Sequence, residues 1–204
     1  ERISTRAAAA QPSTLDETAR TVRAIAASEK PTAVFDWDRY DVVDEVLLMA
    51  GAILPESGRV PLLDSHQRGS VSDILGSAGG FRPGESGPFA ALEADVALGD
   101  TDAGRQALAL IRDGHLTDLS VGYEPVESMW IPAGQKQIIA GREYAGPVKV
   151  TTRWMLKELS LTPIGADDLA KMRSQGGAQP MNQRLKKLLK LRHGLPVDAT
   201  GAQA

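Results

Sequence analysis

The apolar residues of this chain occur mainly in short aliphatic runs that end at or near glycine or proline. Runs of this length, rich in β-branched residues and bounded by turn residues, are typical of strands rather than of long helices. The region from 42 to 54 predicts one long strand or two short ones broken near Gly51. Further strands are predicted over 60–63, 89–98, 119–123 and 148–161. The chain is therefore expected to be rich in β-structure.

Helical periodicity is clearest over residues 102–113. Thr101 is placed to cap the first turn, and Gly114 follows the last periodic residue, as expected for a helix stop. An apolar stripe at helical spacing completes the pattern. It consists of Ala103, Ala107, Leu110 and Ile111.

Other segments predict less regular structure. Residues 15–29 show helical spacing behind a cap at Thr14 and end before Pro31, which predicts a helix. Residues 166–173 predict the start of a short helix. The glycine-rich stretch 69–90 predicts a long flexible loop, serving as a functional lid or as plain surface. Residues 124–150 predict a hairpin or an irregular excursion.

Composition limits the classes of function. The chain has 204 residues, a formal net charge of −3 and no cysteine, which excludes disulfides and thiolate metal sites. A weakly acidic chain is a poor general nucleic-acid binder. Hydrophobic residues make up 42% and aromatic residues 4%, so the core must be largely aliphatic. No apolar run has the length of a membrane span. The sequence shows no cluster of metal ligands and no cofactor motif, so we expect neither a metal nor a cofactor.

The sequence divides into three parts. Residues 1–17 begin with small and polar residues and predict a flexible arm, residues 18–174 predict the folded domain, and residues 175–180 predict a linker. The tail beyond it has basic residues around leucines, which predicts a short basic amphipathic helix. Such a helix would bind an acidic partner helix, nucleic acid or a membrane surface, or remain a solvated tail.

Three side chains stand at the edges of predicted strands and together have the chemistry of a serine nucleophile. Ser120 lies in the run 119–123, His66 follows the run 60–63, and Glu158 lies in the run 148–161. A hydroxyl nucleophile, an imidazole base and a carboxylate that orients the imidazole form such a catalyst. Ser120 alternates with Gly122 on one face of its strand, so a peptide carbonyl would have room to approach it.

Other residues compete for two of these roles. His115 follows Gly114 directly after the predicted helix, and His193 lies in the basic tail, so both are weaker candidates for the base. Asp64 is near His66 in sequence. However, side chains two residues apart in an extended segment point the same way without facing each other. Glu158, from another strand, is the preferred third member.

Taken in order, these elements resemble the tailed-phage prohead (capsid maturation) proteases of the HK97 type. In that family a histidine follows a short apolar strand, a serine follows a helix in a Ser-Ile/Val-Gly-Phe/Tyr element, and a Glu-x-Ser strand precedes a proline. The resemblance covers roughly residues 18–173, and this chain departs from it in the glycine-rich stretch 76–88. The matching segments are LLDSH at 62–66, GHLTDLSVGY at 114–123, LKELSLTP at 156–163 and PIGAD at 163–167.

The resemblance implies an α+β, mostly β fold: a small closed or near-closed β-barrel with flanking helices, similar to the herpesvirus assemblin proteases. It implies a serine endopeptidase with His66 as base, Ser120 as nucleophile and Glu158 as orienting group. Its substrates would be the major capsid protein, a scaffold segment and the protease itself. It would act inside the assembling prohead in the host bacterial cytoplasm, as a homodimer or higher oligomer. Residues 175–204 would then begin a scaffold or capsid module.

Two alternatives remain at the level of sequence. A non-catalytic, scaffold-like assembly module would bind capsid subunits through the basic tail. It would be indifferent to Ser120→Ala but lose assembly on deletion of 181–204. An ordinary serine esterase is less compatible, because the chain lacks both the Gly-x-Ser-x-Gly turn and the βαβ alternation of that fold.

Overall fold

A computed structural model describes residues 14–173, and these residues are mainly β-structure. The predicted arm (in its residues 1–13), linker and basic tail, including His193, lie outside the described residues. A nine-stranded mixed sheet and a separate two-stranded hairpin account for the strands of this part of the chain. The strands are β1 (Thr21–Ser28), β2 (Thr32–Asp36), β3 (Asp41–Leu47), β4 (Ala52–Ile53), β5 (Arg59–Asp64), β6 (Ile74–Ser86), β7 (Phe89–Leu98), β8 (Asp118–Ile131), β9 (Lys136–Ile139), β10 (Arg142–Ala145) and β11 (Val148–Thr162).

The longest strand, β11, organises the sheet. Along one edge it pairs antiparallel with β8 over almost its whole length. Along its other edge it pairs in parallel with three strands in succession, first β3, then β4, then β5. Register shifts occur near Thr151 and Leu156. These bulges bend the strand and let one strand serve partners in different directions.

The predicted barrel with flanking helices is wrong. The strand order is β1-β7-β6-β5-β11-β3-β2, an open mixed sheet in which the terminal strands β1 and β2 do not pair with each other. One α-helix, α1 (Asp102–Arg112), occurs between residues 14 and 173, where the prediction required several. β3, β4 and β5 pair one after another with the same edge of β11, so these strands do not continue around a closed ring. The sheet therefore ends at β2.

The predicted helix over 15–29 is also wrong, since residues 21–28 form strand β1. Five consecutive residues from Ala24 to Ser28 are buried. β1 pairs with β7 on one side, and on the other the amide of Ile25 donates to the carbonyl of Lys171. A strand covered on both faces has no alternation of polar residues, so its pattern cannot be told from that of a helix.

The flexible loop predicted over 69–90 is wrong for most of its length, because β6 and β7 form a long hairpin there. The glycines allow backbones to approach closely: a Cβ at Gly76 would lie 2.0 Å from the carbonyl oxygen of Ala97. Glycines that predict a loop from the sequence here allow β6 and β7 to pack closely. The helix start predicted at 166–173 is absent, and that segment is irregular.

Several predictions are confirmed. The region 42–54 contains two strands separated by a 3₁₀ turn over Met49–Gly51, and the strands near 60–63, 89–98 and 148–161 are present. In helix α1, the amide of Gly104 donates to the hydroxyl of Thr101 at 3.1 Å, and Gly114 has a φ of +73°. The region 124–150 holds the end of β8 and the β9–β10 hairpin.

The predicted helix cap at Thr14 is wrong, because no helix follows it. The Thr14 hydroxyl instead donates to the carbonyl of Arg173 at 2.6 Å.

The main core is aliphatic, as composition requires. It lies on one face of β11 and its neighbours, with Leu62, Leu119, Leu159 and Trp154 fully buried. The Trp154 indole donates to the carbonyl of Leu48 at 2.9 Å. At about 25 cal/mol per Å² of apolar surface, such side chains stabilise by roughly 1.5–3 kcal/mol each. The opposite face at the C-terminal end of β11 is polar, and there the candidate catalytic side chains lie.

Candidate functional site

Three neighbouring strands bring the candidate residues together. Glu158 and Ser160 lie on β11, and their register partners on β8 are Gly122 and Ser120. On the other edge of β11, β5 runs parallel and ends at Asp64, so its continuation reaches the same end of the sheet with His66. Because directly opposed residues in an antiparallel pair share a face, these side chains occupy one side of the sheet.

The imidazole of His66 and the carboxylate of Glu158 are in direct contact. His66 Nδ1 lies 2.6 Å from Glu158 Oε1. The Glu158 side chain is 3% exposed and that of His66 is 37% exposed, so the carboxylate supports the ring from the protein side. In the neutral imidazole, an Nδ1 proton donated to the carboxylate leaves Nε2 unprotonated, and this is the tautomer that a general base requires.

Ser160 holds both members of this pair. Its hydroxyl donates to Glu158 Oε2 at 2.7 Å and accepts from the backbone N–H of His66 at 3.0 Å. The side chain is fully buried. Ser160 therefore fixes the carboxylate and the histidine backbone with one oxygen atom. Sequence analysis missed this role, although the two-residue spacing from Glu158 on a strand places both side chains on the same face.

The turn that presents His66 has a left-handed backbone at two consecutive residues, with φ of +48° at Ser65 and +63° at His66. For residues other than glycine this conformation costs roughly 1–2 kcal/mol each. Backbone hydrogen bonds hold the turn: Ser65 donates to Leu161, and Gln67 donates to Asp64. Strain of this kind is concentrated at functional sites, where the surrounding structure enforces it.

Gly122 makes room for the carboxylate. A Cβ placed on Gly122 would lie 1.9 Å from Glu158 Oε1, well inside any real contact. The carboxylate therefore lies directly over the Gly122 backbone. The space over Gly122, which the sequence suggested would be open to a peptide carbonyl, is filled by this carboxylate.

Ser120 is a neighbour of the pair but is not hydrogen-bonded to it. It faces Ser160 across the antiparallel ladder, where Cβ atoms are typically about 4.5–5.5 Å apart. Its side chain is half-buried. Among residues 14–173, no hydrogen bond connects the Ser120 hydroxyl to His66. The structure thus brings His66 and Glu158 into contact and places Ser120 beside them on the same face.

The competing residues lie elsewhere or face other partners. The carboxylate of Asp64 is exposed and accepts from the hydroxyl of Ser65 at 2.9 Å, not from His66. His115 is exposed in the turn after α1. Arg68 brings a cation that sequence analysis did not single out, with Nη2 3.7 Å from Glu158 Oε1.

A second polar cluster lies on β2, β3, β8 and β11, and no sequence pattern indicated it. The buried Glu45 carboxylate accepts from the hydroxyls of Tyr123 and Thr151. Lys149 Nζ lies 3.0 Å from Asp36 Oδ2 and 3.7 Å from Glu45 Oε1. Burial raises the pKa of Tyr123 well above its usual value, and the adjacent Glu45 carboxylate adds to the shift. These acids stand within ordinary strand patterns, which give no signal for pairing.

Two cavities are bordered by candidate residues. One borders Ser120 and extends between β1 and β8. The other borders Glu158 and is lined also by Leu63, Arg68 and Val71. Within residues 14–173, no group of His, Asp or Glu side chains has an arrangement that would hold a metal ion, and no helix is long and apolar enough to cross a membrane.

Comparison with known proteins adds no relative. No protein-family model matches the chain, and neither the curated proteins nor the solved structures give a significant match. Assignment of function therefore depends on the site.

Proposed function

We propose that this protein is a serine endopeptidase in which Ser120 is the nucleophile, His66 the general base and Glu158 the group that orients the base. The observation that carries the proposal is the buried Glu158 carboxylate, bonded to His66 Nδ1 at 2.6 Å on the face that also bears Ser120. A buried carboxylate behind a partly exposed imidazole is the arrangement that orients a catalytic histidine.

The proposed reaction is acyl transfer. His66 Nε2 takes the Ser120 proton as Oγ attacks the carbonyl carbon of the scissile peptide, and the C–N bond then breaks as His66 returns the proton to the leaving amine. Water, activated by the same imidazole, hydrolyses the ester. For attack, the Ser120 hydroxyl must come within about 2.6–3.2 Å of the imidazole. Catalytic hydrogen bonds are often long or poorly aligned without substrate and tighten only in the complex.

Backbone geometry beside Ser120 suits an extended substrate. The amide of Leu119 points away from β11, since it donates to the carbonyl of Ala170. Because backbone groups alternate along a strand, the N–H and C=O of Val121 point to the same outer edge of β8. A donor next to the nucleophile, on the side open to substrate, is suited to stabilising an oxyanion.

The substrates that we propose are the capsid and scaffold proteins of a tailed phage, with cleavage inside the assembling prohead. This part depends on the resemblance of the motifs at 62–66, 114–123 and 156–163 and goes beyond the geometry of the site. Self-cleavage and assembly as a dimer or higher oligomer belong to the same proposal.

The test is cleavage of an unfolded protein substrate and of phage capsid protein by wild type and by Ser120→Ala, followed by intact mass. We expect discrete fragments with wild type and none with the variant. A Ser72→Ala variant serves as control, because that hydroxyl is exposed in the 3₁₀ turn before β6. Equal fragmentation by wild type and Ser120→Ala, or none by either, would contradict the proposal.

A further inference from the structure

Exposed aromatic side chains are concentrated at one place in this protein, the hairpin formed by β2 and β3. The sequence has three residues each of phenylalanine, tyrosine and tryptophan, and one of each lies within residues 35–40. Trp37 and Tyr40 are each 80% exposed and Phe35 is 42% exposed, whereas every other aromatic side chain is buried or half-buried. Aromatic residues that are not used in packing are typical anchors of an interaction surface.

The three rings belong to a continuous apolar strip. The Phe35 ring contacts those of Trp37 and Tyr40, with ring centroids 4.8 and 5.4 Å apart. Phe35 is opposite Val42 in the β2–β3 ladder, so these two side chains share a face. Their contiguity distinguishes the strip from single exposed apolar residues, which are common on protein surfaces. The residues of the strip, which we call the hairpin patch, are Ala33, Phe35, Trp37, Tyr40 and Val42.

The β9–β10 hairpin covers part of the same face but leaves the hairpin patch open. Val46 lies on the same face of β3 as Val42 by strand alternation, and it is buried in a cluster with Ile139 and Tyr144. Val42 itself is 63% exposed. Within residues 14–173, the hairpin patch is therefore accessible to a partner.

A buried carboxylate holds the turn that presents the rings. Asp36 Oδ1 accepts from the backbone N–H groups of Asp38 and Arg39 at 2.9 and 3.0 Å. Asp36 Oδ2 lies 3.0 Å from Lys149 Nζ. Side chains that are held in place before binding lose little conformational entropy when a partner docks.

The surface around the hairpin patch is acidic. Asp38, Asp41 and Asp44 alternate with the patch residues in sequence and are exposed, and none of them forms an ion pair in the part of the chain that the structure describes. Arg39 is the only basic residue between positions 32 and 45, and its guanidinium lies 3.9 Å from the centroid of the Trp130 ring. The hairpin thus presents three carboxylates without a paired cation.

This charge discriminates between classes of occupant. A second copy of the hairpin would bring the same carboxylates, and nucleic acids and anionic membranes are also negatively charged, so each of them would be repelled. A polypeptide segment with lysine or arginine beside apolar side chains would bury the rings and also neutralise the acids.

We propose that the hairpin patch docks a basic, apolar segment of a protein partner. Trp37 and Tyr40 would be the central anchors, and the three carboxylates would pair with the partner's cations at the rim. The patch is separate from the candidate catalytic group, because β3 pairs with β11 at Lys149–Thr151, roughly 20 Å along the strand from Glu158. The inference therefore does not depend on the proposed endopeptidase activity.

Binding of a basic apolar peptide tests the proposal. The probe is a synthetic peptide of lysine and leucine, compared with one in which glutamate replaces each lysine, and both are titrated into the full chain. Calorimetry gives Kd, and tryptophan emission reports the site, because Trp37 is exposed while Trp154 is fully buried. We expect the lysine peptide to bind and to shift the emission to shorter wavelength, and the glutamate peptide to cause no shift. Trp37→Phe should abolish the shift and keep most of the affinity.

Truncation of a ring tests the anchors. Trp37→Ala should weaken binding of the lysine peptide at least about 10-fold, as expected for a central aromatic anchor. The matched control is Ile138→Ala, which truncates another exposed apolar side chain, on β9, and should leave Kd unchanged. Val42→Lys places a positive charge in the hairpin patch without removing a ring and should also weaken binding. It carries the test if circular dichroism shows that Trp37→Ala disturbs the fold.

Removal of charge tests the complementarity. Asp38→Asn combined with Asp44→Asn should weaken binding about 3–10-fold at low salt and make Kd less dependent on salt. Asp41 is retained, because its Oδ1 accepts from the next backbone N–H at 2.8 Å. Glu56→Gln combined with Glu85→Gln removes two exposed carboxylates elsewhere and should leave Kd unchanged.

Several results would overturn the proposal. They are no binding of the lysine peptide, equal emission shifts with the two peptides, and a Kd that is unchanged in both Trp37→Ala and Val42→Lys. Self-association that depends on Trp37, without binding of the lysine peptide, would assign the patch to a second copy instead. An emission shift with phosphatidylcholine vesicles, again without peptide binding, would assign it to a membrane. Cleavage by Ser120 is measured separately, so failure of either proposal leaves the other standing.

Discussion

The substitution Gly122→Ala should uncouple His66 from Glu158. A Cβ at this position would lie 1.9 Å from Glu158 Oε1, and real Cβ contacts essentially never fall below 3.0 Å, so the oxygen must retreat by at least about 1 Å. The hydrogen bond to His66 Nδ1 is 2.6 Å long now and is lost as a good bond beyond about 3.2 Å. The hydrogen bond can therefore lengthen by less than the distance that the oxygen must move, so the bond is lost.

This movement predicts a specific pattern of losses. Overpacking a well-packed site typically costs about 1–3 kcal/mol, so urea unfolding should show a reduction of that size. A displacement of about 1 Å at the group that orients the base should lower kcat about 100-fold or more, while KM changes little. The variant should remain folded, because the three nearest atoms to the added Cβ, Oε1, Cδ and Cγ of Glu158, all belong to one side chain and none to the backbone.

Three measurements check the reasoning. Urea unfolding gives the stability, peptide cleavage gives kcat and KM, and proton NMR follows the downfield signal of the His66 Nδ1 proton, which reports its bond to Glu158 without requiring activity. The matched variant is Gly122→Ala combined with Glu158→Asp, whose shorter side chain withdraws the carboxylate from the added methyl group. We expect it to recover stability but not the downfield signal. Unchanged kcat together with an unchanged downfield signal in Gly122→Ala would refute the reasoning.

The remaining predictions concern the two polar clusters. Ser160→Ala removes the acceptor of the His66 amide and should cost about 1–3 kcal/mol by urea unfolding, with a smaller loss of kcat than Glu158→Gln; an unaltered stability would contradict this. Lys149→Met leaves the buried Asp36 without its cation and should cost about 3–5 kcal/mol at pH 7, measured in the same way. Burial would raise the pKa of Asp36, but the hydrogen bond and charge of Lys149 lower this pKa below its usual value of 3.8. The ion pair therefore stabilises the fold fully above pH 3.8. Its contribution is lost as the pH falls through the lower pKa that Asp36 has in the folded state. The difference in stability between wild type and Lys149→Met should therefore shrink below about pH 4, and a difference that is independent of pH would exclude this account of the pair.

The parts of the fold that sequence predicted are those whose signals are local. The helix after Thr101 was predicted because its cap, apolar stripe and terminal glycine all lie within a dozen residues. Strand β11 was predicted from the strand character of residues 148–161, in which aliphatic and β-branched residues recur between polar ones. In both cases the pattern depends on the neighbours in sequence rather than on what packs against the segment.

The errors come from segments whose character depends on distant partners. β1 has five consecutive buried residues and is hydrogen-bonded along one edge to β7 and along the other to Lys171, so its alanines were mistaken for a helical stripe. The glycines of β6 were read as a loop signal. They allow β6 to approach β7 closely, and this role is visible only in the paired strands. Closure of a barrel is a global property, and it was wrongly inferred from the resemblance of four short segments.

Some features of the candidate site were also predictable from the sequence, and others were not. The types of its three residues were recognisable from the sequence. The contact between His66 and Glu158 agrees with the sequence-based choice of Glu158, an acid from another strand, over Asp64. The bridging role of Ser160 and the polar cluster around the buried Glu45 were not recognised. Both depend on register between strands that are far apart in sequence, and side-chain periodicity alone does not set that register.

The most direct measurement is covalent labelling with a fluorophosphonate, a reagent that reacts with an activated serine hydroxyl, followed by peptide mapping. The account predicts one adduct at Ser120, with a rate that falls sharply in His66→Ala and in Glu158→Gln and is unchanged in His115→Ala. Labelling absent from Ser120 under conditions in which the protein is folded, or a rate independent of His66, would contradict the assignment of these residues as a catalytic group.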